Sequence, residues 1–218
     1  MTLPDAIIFD LDGTLVNSAP DLQAAANVML NDLGRAPLDL DTIITFIGNG
    51  VEKLIERSLE ATGGYDDDLR RHALAVFLDT YETNMTTLTK PYPGVVNCLE
   101  QLCAAGVPLG ICTNKPDGPA KAICAALGLS QFFTAIDGAR PDQPRKPDPA
   151  PLLACIAKLN TAPQNALYVG DSGVDFLTAH NARVPFRLFS QGYLHAPIPE
   201  LHARDQFSDW TLSNLLGR

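Results

Sequence analysis

Two aspartates, Asp10 and Asp12, follow a short apolar run near the start of the chain. Alternation along an extended strand points both side chains to the same side, and Gly13 permits the tight turn that must come next. Two neighbouring carboxylates either repel each other or share a cation, and a site of oxygen ligands favours Mg²⁺ over Zn²⁺. A carboxylate can also act as a nucleophile or carry a proton. The alternative is a turn whose aspartates only cap backbone amides.

Further polar side chains could bind a phosphoryl group. Thr113 and Asn114 follow a second apolar run, and their hydroxyl and amide can donate to phosphoryl oxygens, although such a pair is also a common helix cap. Lys146 precedes Pro147 and Pro149, which fit a first helical turn. We therefore expect its ammonium beside the positive end of a helix dipole, where phosphate binds. Taken alone, Lys146 could equally be a solvated surface charge.

A third pair of acids ends another apolar run. Asp171 comes directly after this run, and Asp175 lies four residues further on. This spacing brings both carboxylates onto one face if Ser172 starts a helix. Without the other candidates, the same pair would be interpreted as a helix N-cap followed by a surface acid.

The elements around these residues alternate between strands and helices. Three continuous apolar runs predict strands that are buried on both faces, at 6–9, 107–112 and 166–170, and two weaker runs lie at 133–136 and 185–189. Helical periodicity covers 94–106, 119–128 and 147–159. The pattern predicts an α/β fold with a doubly wound parallel sheet, a Rossmann-like core whose ligands bind at the carboxyl ends of the strands.

A long interval after the first strand is helical in character. Apolar residues recur with helical spacing over 21–33 and 51–59, and only 43–47 resembles a strand. We interpret residues 16–89 as a helical cap domain inserted after the first strand, and residues 1–15 and 90–218 as the catalytic core. Pro91-Tyr92-Pro93-Gly94 fits a return linker.

Composition restricts the class of protein. The 218 residues include 46% hydrophobic residues and carry a formal net charge of -9, which opposes general binding to nucleic acid or to anionic membranes. No run has membrane-spanning length, and the N-terminus has no basic leader. Five scattered cysteines are typical of buried, reduced thiols, so we expect a cytoplasmic protein, as a monomer or homodimer.

The ordered motifs resemble the haloacid dehalogenase-like hydrolase superfamily. The similarity rests on the stretch FDLDGTL at 9–15, the stretch ICTN at 111–114, Lys146 before a helix, and the stretch GDSGVD at 170–175. The matches occur in the family's order and span most of the chain, and the helical insertion resembles that superfamily's cap.

This resemblance implies a role for each candidate in phosphoryl transfer. Asp10 would be the nucleophile that becomes an aspartyl phosphate, and Asp12 would be the general acid and base. Lys146 would neutralise the nucleophile and the phosphate. The resemblance also implies that Thr113 and Asn114 bind the phosphate.

The resemblance implies a magnesium site as well. Its ligands would be the Asp10 carboxylate, the Asp12 carbonyl and Asp171. Asp175 would act indirectly, through a metal-bound water or by orienting Lys146. Asp12 argues against dehalogenation, because a halide leaves without a proton whereas an alkoxide needs one.

The likeness extends to the phosphoglycolate phosphatase branch, through the stretches LVNSAPDL at 15–22, IGNG at 47–50, YPGV at 92–95 and TNKP at 113–116. The chain departs from this branch at two places. Asn17 stands where an aspartate is usual, and Asp137-Gly138-Ala139-Arg140 replaces the branch's Gly-Gly-Asp-like stretch. The substrate is thus a small phosphorylated metabolite, with 2-phosphoglycolate as the best candidate. A sugar phosphomutase of the β-phosphoglucomutase type, a pyrophosphate or nucleotide phosphatase, and a non-catalytic scaffold are the alternatives.

Two further side chains and one loop complete the expectations. The loop at 48–50 is expected to face the active site and set specificity. Arg57 could meet a substrate carboxylate, or else pair with Glu56 or Glu60 on a solvated face. Lys115 is expected to be exposed rather than catalytic.

Overall fold

A computed structural model describes residues 3–217 of the chain. The chain forms two compact units, one that ends at Asn17 and resumes at Pro91, and one that comprises Ser18–Lys90. The sequence suggested divisions after residues 15 and 89. That the second unit serves as a cap stays a prediction.

The unit Ser18–Lys90 is helical. Its helices are α1 (Ala19–Asp32), α2 (Leu40–Ile44), α3 (Val51–Ala61) and α4 (Asp67–Asn84). The apolar residues of α1 predicted to share a face are buried together. The strand-like interpretation of 43–47 is wrong, because Asp39 caps a helix there by accepting a hydrogen bond from the Thr42 amide. A local N-cap thus outweighs the β propensity of a short isoleucine-rich run.

The other unit contains a six-stranded sheet. Its strands are β1 (Ala6–Phe9), β4 (Leu109–Pro116), β5 (Ala135–Ala139), β6 (Ala166–Gly170), β7 (Phe186–Phe189) and β8 (Gln206–Phe207). Two further strands of two residues each, β2 (Val16–Asn17) and β3 (Lys90–Pro91), are not part of this sheet. The order is β5-β4-β1-β6-β7-β8, and the neighbouring strands pair in parallel. The predicted doubly wound α/β fold is confirmed.

Strand β1 is apolar because both of its faces are covered. Ile8 belongs to a buried cluster with Leu152 and Ile156, whereas Phe9 packs against Phe133 and Trp210 on the opposite face. All four residues of β1 are completely buried. The predicted limits of β1 and β6 agree with the structure, and β4 runs four residues further than expected.

Helices of the sheet-containing unit are α5 (Val95–Ala104), α6 (Asp117–Ala126), α7 (Ala150–Lys158), α8 (Gly173–Ala182) and α9 (Leu212–Leu215). Helix α7 starts at Ala150, so the expected first turn at Pro147 is wrong. A residue that precedes proline is pushed out of the helical region, which keeps Lys146 and Asp148 outside the helix. Lys146 therefore lies four residues before the first residue of α7 and not in its first turn.

Two other expectations concern membranes and thiols. Among the helices within residues 3–217, none combines the length and the apolar content that crossing a bilayer requires. All five cysteines are free thiols, and four are buried as expected. Cys103 is exposed on α5, which corrects the expectation of burial for that residue.

Candidate active site

The candidate residues meet at the carboxyl edge of three adjacent strands. Asp10 follows β1, Thr113 lies in β4, and Asp171 follows β6. Because β4 and β6 flank β1 on opposite sides, the edge beyond β1 is the point where the winding of the sheet reverses. Open α/β sheets bind ligands at such a point. Asp10, Thr113 and Asp171 are all buried.

Lys146 is the centre of a buried ionic network. Its Nζ lies 3.0 Å from Asp10 Oδ2 and 2.6 Å from Asp175 Oδ1, and it contacts the Tyr168 hydroxyl at 2.9 Å. The Tyr168 hydroxyl also donates to Asp175 Oδ1 at 2.8 Å. The lysine side chain is 2% exposed, and that of Asp175 is fully buried. One ammonium thus neutralises two carboxylates and holds one of them, Asp10, at the sheet edge.

Asn114 fixes the segment that carries Lys146. Its side-chain Oδ1 accepts from the Lys146 amide at 2.9 Å, and its Nδ2 donates to the Lys146 carbonyl at 3.0 Å. This pair of bonds supports a positioning role, whereas the direct contact with phosphate stays a prediction. Thr113 also forms a hydrogen bond with Asp10.

Asp171 is held by groups from two loops. The Thr14 hydroxyl donates to Asp171 Oδ1 at 2.6 Å, and the Tyr193 amide donates to Oδ2 at 2.7 Å. Gly13 has φ +83°, and a Cβ at this position would overlap the Asp171 carboxylate. The turn after β1 therefore requires glycine for its conformation and for the close approach of Asp171.

Asp175 is oriented by the start of α8. Ser172 is the N-cap residue and forms a capping box with Asp175. The Ser172 hydroxyl donates to Asp175 Oδ2 at 2.6 Å, while Oδ1 faces Lys146. Both oxygens of Asp175 are therefore engaged, in agreement with the predicted orientation of Lys146.

Burial and neighbouring charge shift the pKa values of this cluster in different directions. Burial, with the Asp175 carboxylate adding to it, raises the pKa of Asp10 to about 6 despite the opposing Lys146 ammonium. Burial also raises the pKa of Asp171 well above its usual range, again with Asp175 adding to the effect. Burial is the largest influence on Asp175 and would raise its pKa too, but the Lys146 ammonium and the hydrogen bonds from Lys146, Ser172 and Tyr168 together lower that pKa.

Lys146 itself stays charged. Burial would lower the pKa of its ammonium, but the Asp10 and Asp175 carboxylates outweigh burial and raise that pKa above its ordinary value. The site therefore holds a permanent cation between Asp10, whose ionisation is costly, and Asp175, whose ionisation the cation favours.

This arrangement fits a divalent cation. Oxygens of Asp10, Asp171 and Asp175 lie within 4.8 Å of one another, and all three residues are buried. Each oxygen of Asp175 accepts hydrogen bonds from at least two groups, Lys146 and Tyr168 at Oδ1 and the hydroxyl and amide of Ser172 at Oδ2, so Asp10 and Asp171 are the better ligands. Carboxylate oxygens are hard ligands that suit Mg²⁺, and a cation would relieve the repulsion that raises the pKa values of both.

Stabilisation by Mg²⁺ should increase with pH. A carboxyl whose folded-state pKa is raised favours folding below its unfolded pKa of about 4, and this contribution is lost as pH rises through about 6 for Asp10. Mg²⁺ binds the ionised form, so it restores stability where that form prevails. We expect thermal unfolding with MgCl₂ and with EDTA to differ little at pH 5 and by several degrees at pH 8. An increase in unfolding temperature with MgCl₂ that is equal at pH 5 and pH 8 would contradict binding of Mg²⁺ to the ionised carboxylates.

Lys115 corrects an expectation. Predicted to be exposed, its side chain is only 4% exposed, and its Nζ lies 3.1 Å from each carboxylate oxygen of Asp12. The register of β4 is irregular between Cys112 and Pro116, and the strand continues through Lys115. This extension carries Lys115 along the sheet edge to Asp12, which the pattern of a strand ending at Cys112 did not indicate.

Two tyrosines at the site were also missed. Tyr168 lies within the apolar run of β6, and its hydroxyl reaches Lys146 and Asp175. Tyr193 binds Asp171 through its amide and donates from its hydroxyl to Asn17 Oδ1 at 2.8 Å. A tyrosine in a buried strand needs a polar partner, and that was the available signal for Tyr168.

Arg57 makes contacts other than the pairing with Glu56 or Glu60 that was considered for it, and its contact with a substrate carboxylate stays a prediction. Within the helical unit its guanidinium donates to the Phe46 carbonyl at 3.0 Å and to Asn49 Oδ1 at 2.9 Å. It therefore fixes the loop 48–50 against α3. That this loop faces the active site stays a prediction.

Comparison with known proteins places the chain in a family. The model of the family described as haloacid dehalogenase-like hydrolase matches residues 7–189. The chain belongs to the haloacid dehalogenase-like hydrolases. This membership agrees with the resemblance found in the motifs, and it accounts for a sheet edge that carries Asp10, Asp12 and Asp171.

Relatives within this family are phosphatases. A phosphoglycolate phosphatase of Cereibacter sphaeroides is 48% identical over 97% of both chains, and one of Rhodospirillum rubrum is 40% identical over 99% of this chain and 92% of its own. The chain is accordingly a phosphoric monoester hydrolase whose substrate is a small phosphorylated molecule.

Solved structures agree with this haloacid dehalogenase-like fold. A predicted phosphoglycolate phosphatase from Haemophilus somnus superposes with a TM-score of 0.90 at 32% identity, covering 99% of this chain and 98% of the other. A haloacid dehalogenase-like hydrolase from Streptococcus pneumoniae superposes with a TM-score of 0.77 at 26% identity, covering 88% and 86%.

Proposed function

We propose that this hydrolase is a Mg²⁺-dependent phosphatase that converts 2-phosphoglycolate to glycolate and phosphate through an aspartyl phosphate on Asp10. The observation that carries the proposal is the position of Asp10 at the sheet edge, 3.0 Å from Lys146 and beside Asp12 and Asp171. A buried carboxylate paired with a permanent cation is suited to attack an anion that would otherwise repel it.

In the first half-reaction, an oxygen of Asp10 attacks phosphorus and the ester bond to the leaving oxygen breaks. Asp12 protonates that oxygen, so that glycolate departs with a neutral hydroxyl. Lys146, with Thr113 close by, stabilises the charge that spreads over the phosphoryl oxygens in the transition state. Asn114 keeps Lys146 in place through its main chain.

In the second half-reaction, water attacks the phosphorus of the aspartyl phosphate. Asp12, now a carboxylate, takes a proton from this water, and the bond to Asp10 breaks to regenerate the free carboxylate. The proton that Asp12 gave to the leaving oxygen is thereby replaced. General acid and base help of this kind typically contributes about 10²–10⁴ in rate.

The metal would be held by the Asp10 and Asp171 carboxylates, with the Asp12 carbonyl as the predicted third protein ligand. Bound Mg²⁺ would supply positive charge that offsets the repulsion between the phosphate and these acids. The Thr14 hydroxyl and the Tyr193 amide fix the orientation of Asp171.

The choice of 2-phosphoglycolate rests on the relatives. Curated phosphoglycolate phosphatases match nearly the whole chain at 40–48% identity. Free cysteines are compatible with the reducing cytoplasm in which we place the enzyme.

A screen of phosphate release tests the function. With Mg²⁺ present, we expect 2-phosphoglycolate to be hydrolysed with a higher kcat/KM than sugar phosphates, nucleotides or pyrophosphate, and EDTA to abolish the activity. Isomerisation of a hexose phosphate without phosphate release would instead indicate a phosphomutase, and preference for pyrophosphate or a nucleotide would overturn the assigned substrate.

A further inference from the structure

The second buried lysine of the site has no part in the mechanism described above. Within residues 3–217, Lys115 and Lys146 are the buried members of the lysines and arginines. Lys146 serves Asp10 and the phosphate. Lys115 instead contacts Asp12, with its Nζ 3.1 Å from both carboxylate oxygens. Placing an ammonium in a buried position is costly, so the specific location of Lys115 calls for a functional explanation.

The contact with Asp12 limits the distance between Lys115 and the leaving group. Asp12 must come within about 3 Å of the ester oxygen in order to protonate it. Since Lys115 touches the same carboxylate, its ammonium lies at most about 6 Å from that oxygen. It is therefore within reach of the first atoms of the leaving group.

The chemistry of an ammonium at this place selects an anion. The side chains of Lys115 and Asp12 are 4% and 13% exposed, so the ammonium is largely shielded from water and its attraction for a second anion is strong. In a phosphorylated 2-hydroxy acid the carboxyl carbon is two bonds from the ester oxygen, which lies within the reach just described. A charge-assisted hydrogen bond from an ammonium to a carboxylate is about twice as strong as a neutral one.

We propose that Lys115 is the specificity-determining cation of the core, and that it binds the carboxylate of the leaving group. The substrate class is then phosphate monoesters of short 2-hydroxy acids, and phosphate esters of neutral alcohols of the same size are poor substrates. This inference rests on the proposed function, because it places the leaving oxygen at Asp12. The competing explanation is that Lys115 only neutralises Asp12, in which case its loss would affect every substrate equally.

Comparison of 2-phosphoglycolate with ethyl phosphate tests the proposal, because the two esters differ by a carboxylate in place of a methyl group. For the unmodified enzyme we expect kcat/KM to favour 2-phosphoglycolate by about 10²–10⁴. Lys115→Met should reduce kcat/KM for 2-phosphoglycolate by about 10²-fold or more and change that for ethyl phosphate by less than about fivefold.

A matched control is Lys121→Met. Lys121 pairs with Asp117 on α6, and its side chain is 50% exposed, so the same substitution there should leave both rates unchanged. The neutral isostere 2-phosphoglycolamide, tested on the unmodified enzyme, gives the answer without a variant. We expect it to be hydrolysed as poorly as ethyl phosphate, which keeps the test valid if Lys115→Met does not fold.

Two results would overturn the role of Lys115. One is an equal loss on both esters in Lys115→Met, and the other is equal hydrolysis of 2-phosphoglycolate and 2-phosphoglycolamide by the unmodified enzyme. Neither affects the proposed function. If the unmodified enzyme releases phosphate from none of these esters, the proposed function fails, and the inference fails with it.

Discussion

Asp10→Asn should lower phosphatase kcat by at least about 10⁴-fold on every ester, because an amide cannot form the aspartyl phosphate and binds Mg²⁺ weakly. The fold should survive, since Asn keeps an oxygen that can accept the hydrogen bond from the Leu11 amide, which is 2.7 Å long in the structure. The amide nitrogen would face the Lys146 ammonium in place of Asp10 Oδ2, so some loss of stability is expected. Steady-state phosphate release and a thermal melt measure the two effects.

Asp12→Asn is the matched control for this substitution. It removes the same charge two residues away but leaves the nucleophile intact. We expect the aspartyl phosphate to form much more slowly from 2-phosphoglycolate but at a nearly normal rate from p-nitrophenyl phosphate, whose leaving group needs little protonation. Hydrolysis of the intermediate should be slowed equally for both esters, because Asp12 is also the base for water, so p-nitrophenol should appear in a burst. Asp10→Asn should be inactive on both esters. Metal-dependent turnover by Asp10→Asn above about 1% of the unmodified rate would refute covalent catalysis by Asp10.

The parts of the site that were predictable from sequence depend on local patterns. The limits of β1 and β6 agree because continuous apolar runs bounded by polar residues specify strands that are buried on both faces. Asp10 and Asp171 directly follow those strands, so the parallel sheet itself brings them to one edge. Asp175 lies at the start of a helix, as its spacing from Asp171 predicted, because the capping box with Ser172 spans only three residues, and its role stays a prediction.

The remaining parts depend on contacts between elements that are distant in sequence. The pairing of Lys115 with Asp12 joins residues 103 positions apart and depends on an irregular register in β4. In the sequence Tyr168 is one more residue of an apolar run, and only the structure shows that its hydroxyl contacts Lys146. Lys146 lies in the predicted cluster, but Asn114 and not the first turn of a helix holds its backbone.

Lys146→Met should be the most destabilising substitution at the site when no metal is present. It leaves Asp10 and Asp175 without the cation that lies within 3.0 Å of each. Removal of one partner from a buried ion pair typically costs about 3–5 kcal/mol of unfolding free energy. We expect a loss of this size near pH 8 by chemical denaturation in EDTA, together with a decrease in kcat of about 10³-fold when Mg²⁺ is present.

The pH dependence of this loss has a definite sign. Without the ammonium, the pKa of Asp10 should rise above its value of about 6, because Lys146 is the largest influence that lowers it. A raised folded-state pKa favours folding at low pH, and this contribution is lost as pH rises through that pKa. The variant should therefore approach the stability of the unmodified protein near pH 5 and diverge from it towards pH 8.

Lys158→Met is the control, because Lys158 forms a half-exposed pair with Asp137, so the substitution should cost no more than about 1 kcal/mol of unfolding free energy at either pH. If Lys146→Met lost the same stability at both pH values, its effect would be one of packing, and the electrostatic account of the site would be wrong.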